Sequence, residues 1–229
     1  MRLLAFETAT RRLSVALWQA GECIERYEDL PNSGSEKLLP WVHELLAEAG
    51  IGLSQIDGIA FGAGPGGFTG LRLACGVAQG LAYGTGCPVV PVSTLEALAF
   101  ACGQGDVWTV LDARMNEVYS AAYAVSPTGV TELFAPVCLP PAVSPAPTFT
   151  GGYGVGDGFA TYGELLRAAK PDLDEVRPDV FPTAVAVACL AAPQFQRGGG
   201  LAAADAQPIY VRDKVALTTV ERLARGGIR

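Results

Sequence analysis

The sequence predicts an α/β protein of two related lobes, each opening with a three-stranded antiparallel meander. Three observations carry this. An apolar strand ending in a carboxylate, a short turn, a second strand, a glycine turn and a third strand occur once from Leu3 and again from Val107. After each meander the chain continues in β-prone runs and stretches of helical periodicity. Half of the 229 residues are apolar and 17% are charged, which gives each lobe a core of its own and excludes intrinsic disorder.

In the first lobe, residues 3–8 form an apolar strand. A polar turn at 9–12 leads into a second strand at 13–18, and Gly21 turns the chain into a third at 23–27. From Ser35 to Ala49, apolar residues recur every three or four positions, so a helix is expected with Ser35 as its N-cap and Pro40 distorting its start. A strand at 56–61 runs into a glycine-rich loop, and a helix rich in small residues follows at 71–83. A strand at 88–92 and a helix at 94–102, capped by Ser93 or Thr94, close the lobe. The second meander occupies 107–111, 118–123 and 130–134. Beyond it, the proline-dense stretch 136–147 is expected to be a surface loop, 151–158 a glycine turn, and 183–192 a buried helix. The tail becomes basic at its end. This repeated pattern points to the actin-like or ribonuclease-H-like (ASKHA) fold, with residues 1–104 as the N-terminal lobe and 105–229 as the C-terminal lobe, whose last segment can pack back on the first.

Composition narrows the function. A net charge of -7 and a pI near 4.8 argue against broad nucleic-acid binding, which needs a basic face. The opening apolar run is too short for a signal peptide, and no stretch is long enough to cross a membrane. The six cysteines are scattered without a CxxC pair, which suits reduced thiols in a cytoplasmic protein better than a zinc or disulfide framework.

The strongest local motif is the run Gly62-Ala63-Gly64-Pro65-Gly66-Gly67-Phe68-Thr69-Gly70-Leu71-Arg72. It follows a strand and opens a helix, where backbone N–H groups can hold an anion. Pro65 removes one donor, however, and Leu71-Arg72 stands where a phosphate-binding loop needs Lys and Ser or Thr. The competing reading makes Gly64, Gly66, Gly67 and Gly70 structural, serving a sharp turn and close packing. Glu7 and Asp112, at equivalent strand ends, are expected to face each other across the interlobe cleft. They can hold a metal there, or they can be turn residues. His43 is the only histidine, so no metal pair or nucleophile–histidine system is expected. The turn Asp112-Ala113-Arg114-Met115-Asn116-Glu117 reads as a charged structural turn or a partner contact. Finally, the helix at 35–49 carries apolar residues around much of its circumference, and part of that surface should meet a second molecule.

Several segments together resemble the TsaB (YeaZ) family. These are residues 4–10 with 14–17, Ser35-Glu36-Lys37-Leu38-Leu39-Pro40, the loop from Gly64 to Arg72, and Val92-Ser93-Thr94-Leu95. Asp112-Ala113-Arg114-Met115-Asn116-Glu117-Val118-Tyr119 and Pro208-Ile209-Tyr210-Val211-Arg212 complete the set. Against the family pattern, Glu7 replaces an Asp, Gly67 a Ser and Gly34 a His. The resemblance implies an actin-like fold without a catalytic site of its own, paired with the catalytic paralogue TsaD and with the ATPase TsaE. Their joint product is threonylcarbamoyladenosine beside the anticodon of ANN-decoding tRNAs. It further implies no cofactor or metal on this chain, with ATP and metal on the partner subunits, and tRNA reached only through the complex. A homodimer is expected when the chain is alone. The partner face implied is the pair of helices, through Leu38, Leu39, Val42, Leu45 and Leu46 on the first and Arg72, Leu73, Gly76, Val77 and Gly80 on the second. Glu7 and Asp112 become vestigial. Two rival readings are an actin-like-fold ATPase or kinase and, further off, a peptidase.

Overall fold

The computed structural model describes residues 1–29 and 34–212; the basic end of the tail lies outside the described residues. Strands β1 (Arg2–Glu7), β2 (Arg12–Gln19) and β3 (Glu22–Asp29) form the first meander, followed by α1 (Ser35–Glu48), β4 (Gly58–Gly64), α2 (Phe68–Thr85), β5 (Val89–Ser93) and α3 (Thr94–Cys102). The second half repeats the plan with β6 (Gly105–Arg114), β7 (Glu117–Ser126), β8 (Gly129–Leu139), β9 (Tyr153–Val155), α4 (Gly158–Ala169), β10 (Glu175–Arg177) and α5 (Ala184–Gln196).

The two five-stranded sheets are ordered β3-β2-β1-β4-β5 and β8-β7-β6-β9-β10. In each, the first strand pairs antiparallel with the second and parallel with the fourth. The repeat read from the sequence is thus a repeat of topology. Helices α1 and α2 cover one face of the first sheet, where Leu4, Phe6, Val15 and Phe61 meet Leu38, Leu45, Ala74 and Ala78. Its other face is covered by α5, an Ala-rich helix whose Ala184, Val187, Ala188 and Ala191 let it lie close to Leu3, Ala5 and Ala60. Meanwhile α3 lies on the second sheet, with Leu95, Leu98 and Ala99 against Val107, Leu111 and Ala121. Each lobe therefore receives a helix that follows the last strand of the other, and these helices also touch one another.

Local differences from the sequence reading have local causes. The meander's third strand β8 runs on through Pro136 to Leu139, where the proline density predicts a loop. It is an edge strand, so a missing N–H there need not break the ladder. The glycine run at 151–158 holds a short strand, β9, as well as a turn, with Gly151, Gly152 and Gly156 at positive φ. Helix α2 begins at Phe68, earlier than the expected Leu71, because glycines do not forbid a first turn that is packed from outside. Gly34, rather than Ser35, takes the N-cap of α1, without a side-chain bond, and the helix runs on through Pro40. Ser93 does cap α3, accepting the Glu96 N–H.

Candidate functional site: the interlobe cleft and the outer helix face

A cavity of about 820 Å³ opens between the lobes, lined by the β1–β2 turn, the start of α2, the β6–β7 turn, the start of α4 and the segment Ile209–Arg212. Asp112 lines it and Glu7 does not. The expectation that these two face each other is therefore corrected. Glu7 is fully buried. Its Oε1 accepts the Ala9 N–H at 2.7 Å and its Oε2 accepts the Thr94 hydroxyl at 3.3 Å. Gly62 lies so close over the carboxylate that a Cβ there would sit 1.9 Å from Oε2. Burial pushes the Glu7 pKa up to about 7, against the pull of the hydrogen bonds from Ala9 and Thr94. The carboxyl group is a bolt joining β1 to the start of α3, and it has no route to the cleft.

Asp112 is occupied in its own turn. Its Oδ1 accepts the Arg114 N–H at 2.8 Å, and Oδ2 pairs with the Arg114 guanidinium at 3.1 Å. Arg114, Met115 and Asn116 all adopt left-handed φ near +60°, a run that non-glycine residues rarely take. The C-terminal segment holds this turn. The Arg212 guanidinium donates to the Ala113 carbonyl at 2.9 Å and pairs with Glu117 at 2.7 Å. Sequence reading missed Asp157, at the N-cap of α4, which accepts the Asp112 N–H at 2.9 Å. Burial raises its pKa. An acid directly after a glycine run and before a helix was the available signal.

The glycine loop is explained by contact. The Gly67 N–H donates to the Ala9 carbonyl at 2.7 Å, and the Thr8 hydroxyl donates to the Gly70 carbonyl at 2.7 Å. A Cβ on Gly66 would lie 2.5 Å from the Ala9 carbonyl oxygen, and one on Gly70 would lie 1.9 Å from that of Thr8. A Cβ on Gly64, at φ +121°, would lie 2.5 Å from the Ile209 carbonyl oxygen. The loop is thus pressed onto the β1–β2 turn and the tail. The two strand-end carboxylates therefore do not converge on one position in the cleft. One strand-end carboxylate is sealed, the other is tied to its own turn, and Asp157 is spent on a backbone amide. Among the described residues no group of three or more His, Cys, Asp or Glu converges on a metal position.

The predicted helix face divides in two. Leu38, Val42, Leu45 and Leu46 are core residues under the first sheet, which corrects their assignment to a partner interface. Their spacing is that of one helical stripe, and their own sheet takes it. Leu39 alone of that set points outward, with Trp41 half-buried. On α2, Leu73 and Val77 are half-buried, while Arg72, Gly76 and Gly80 are exposed. Among the described residues a Cβ on Gly76, Gly80 or Gly84 would meet nothing within 4 Å, so these glycines lie open on the outer surface. Two residues missed from the sequence flank them: Phe68, beneath the Arg72 guanidinium at 3.9 Å, and Tyr83, 88% exposed.

Paired sheets of one topology around a cleft, crossed by exchanged helices, define an actin-like two-lobed protein whose cleft is braced by its own side chains. Comparison with known proteins agrees. The family model described as TsaD: tRNA N6-adenosine threonylcarbamoyltransferase matches residues 32–142. The tRNA threonylcarbamoyladenosine biosynthesis protein TsaB of Haemophilus influenzae is 34% identical over 94% of this chain and 95% of its own length. The Escherichia coli protein of that name is 35% identical over 94% and 96%. The solved structure of YeaZ from Pseudomonas aeruginosa superposes with a TM-score of 0.85 at 37% identity, covering 91% of this chain and 99% of that one. The chain belongs to the TsaB (YeaZ) family.

Proposed function

We propose that this chain serves tRNA threonylcarbamoyladenosine formation as a non-catalytic subunit, binding a TsaD partner through the outer face of α2 and the adjoining edge of α1. The observation that carries the reading is the open row Gly76, Gly80 and Gly84 on a helix that also exposes Phe68 and Tyr83. Glycine costs a helix about 1 kcal/mol relative to alanine, and no close contact among the described residues calls for it at these three positions. Bare backbone beside exposed aromatic rings is a surface onto which another helix can pack closely. The names of the relatives supply the reaction, and the TsaD family match supports a paralogous partner.

The sealed Glu7 and self-bound Asp112 support a role without chemistry of its own, with ATP and metal on TsaD and TsaE and tRNA held by the complex. A solved structure from Pseudomonas aeruginosa is described as similar to peptidase YeaZ. Here the sole histidine, His43, stands exposed on α1, a poor place for a peptidase base. A second copy of the chain competes for the same face when TsaD is absent.

The test is reconstitution of the tRNA modification from TsaD, TsaE and tRNA, with and without this chain, beside the double variant Gly76→Leu, Gly80→Leu. Both leucines project into open space in the isolated chain, so the variant should melt no lower than wild type. It should fail to co-elute with TsaD and fail to support modification. Modification that proceeds without the chain, or full binding by the variant, overturns the reading. Nucleotide turnover by the isolated chain, abolished by Asp112→Ala, establishes the ATPase alternative instead.

A further inference from the structure

An exposed aromatic cluster at the start of α2 joins the outer helix face to the interlobe cleft. Phe68 and Arg72 head a row at four-residue spacing that continues through Gly76, Gly80 and Gly84, so all five lie along one side of the helix. The Arg72 guanidinium lies over the Phe68 ring at 3.9 Å, and its Nε donates to the Tyr210 hydroxyl at 3.4 Å. The Tyr210 ring leans on that of Phe68, with centroids 6.1 Å apart. Both rings are about half exposed. Among the described residues Arg72 takes part in no ion pair. Tyr210 itself belongs to the tail. One residue before it, the Ile209 N–H is tied to the Ala63 carbonyl of the first lobe at 2.7 Å. Two residues after it, Arg212 holds the Ala113 carbonyl and Glu117 of the second lobe. Two residues of extended chain span about 7 Å at most, so the position of Tyr210 limits where Arg212 can reach. The turn that Arg212 grips has Arg114, Met115 and Asn116 at φ of 61°, 57° and 60°. Such a run persists only while its surroundings hold it, so it has a relaxed alternative when the grip is lost.

We propose that Phe68, Arg72 and Tyr210 anchor a carboxylate of the TsaD partner, and that this contact tightens the hold of Arg212 on the β6–β7 turn. The coupling rests on the docking of TsaD along the outer face of α2. In the free chain the cluster faces water, where a cation over a ring and an exposed hydrogen bond hold weakly. A partner that covers the cluster removes this water and strengthens both contacts. An acidic side chain of the partner supplies the charge that Arg72 lacks within its own chain's described residues, in the planar pairing that suits a guanidinium. Tyr210 is then fixed at the place from which Arg212 reaches the turn. The partner thereby favours the braced cleft over a loosened one, and by linkage the braced cleft binds the partner more tightly.

The test is hydrogen exchange of the full chain with and without saturating TsaD, read at the Arg114 amide, which donates to Asp112 inside the turn. TsaD should slow this exchange at least about fivefold in wild type. Tyr210→Ala, studied at a TsaD concentration that saturates it, should abolish the slowing. Arg72→Gln should weaken TsaD binding at least about tenfold and flatten its dependence on salt. Both substitutions fall at exposed positions, so the binding losses are read on folded protein. Slowing that persists in Tyr210→Ala comes from direct cover by TsaD and overturns the coupling, as does wild-type binding that leaves the turn's exchange unchanged. Wild-type affinity in Arg72→Gln overturns the anchor. A wild-type chain that does not bind TsaD at all overturns the docking itself, and the coupling falls with it.

Discussion

Glu7 ends its strand at a place from which a carboxylate commonly reaches solvent, yet the neighbouring strand β4 closes over it, with Gly62 packed against the carboxylate. The consequence is a measurable pH dependence. Its folded pKa of about 7 lies above the ordinary 4.5, so the native chain keeps a proton that the unfolded chain releases between those values. Stability falls as the pH rises through that window and stays lowered above it, by roughly 3 kcal/mol for this group. Glu7→Gln keeps an acceptor for the Ala9 N–H. In urea melts it should gain on wild type between pH 5 and pH 8 by up to about 3 kcal/mol. A pH-independent difference would show that Glu7 does not titrate in that range. Gly70 is decided by steric fit. A Cβ there would lie 1.9 Å from the Thr8 carbonyl oxygen, so Gly70→Ala should destabilise by about 2–4 kcal/mol in the same melts. That an acid ends β1 and that glycines crowd this loop are plain in the sequence. That the two are pressed together follows from β1 and β4 lying side by side, a pairing that no local pattern contains.

Helix α1 shows the same division among elements. Its three- and four-residue apolar spacing marks a helix, and that spacing alone puts Leu38, Val42, Leu45 and Leu46 on one stripe. Whether the stripe meets the chain's own sheet or a partner depends on where the sheet lies, and β2 and β3 take it. Leu45→Asp should therefore unfold the chain or cost at least about 3 kcal/mol, since a buried carboxylate finds no partner there. Leu39→Asp, at an exposed position, should leave the melting curve within about 0.5 kcal/mol of wild type and weaken only the association with TsaD. Circular dichroism melts beside co-elution separate the two effects. Equal destabilisation by both would mean that Leu39 is also part of the core. On α2, small residues are visible in the sequence as a sign of close packing. The structure sorts them into Ala74, Ala78 and Ala82 facing inward and Gly76, Gly80 and Gly84 facing outward.

At the level of the whole molecule, the lobes are held by exchanged helices and by one strap. The segment from Ala206 to Arg212 crosses the first lobe, where the Gln79 side chain donates to the Ala206 carbonyl at 2.9 Å and the Ile209 N–H donates to the Ala63 carbonyl at 2.7 Å. It then ends on the second lobe, with Arg212 gripping the strained Arg114–Asn116 turn. Arg212→Ala removes that grip and leaves Glu117 and the Ala113 carbonyl without it. Stability should drop by about 1–3 kcal/mol, and hydrogen exchange at the Ile209 amide should quicken by at least about tenfold, as the strap opens more often. Unchanged exchange at Ile209 would show that the strap is anchored on the first lobe alone.

The sequence by itself determined the class of fold, because strands, turns and helices are written in local periodicity and the meander is written twice. It also carried the family, through the spacing of the glycine loop and of the Asp112-Ala113-Arg114 turn. Only the tertiary structure decided which carboxylate is sealed, which leucines are core and which glycines lie open. Each of these depends on a contact between residues distant in the chain, and burial is a property of what packs on a residue rather than of the residue itself.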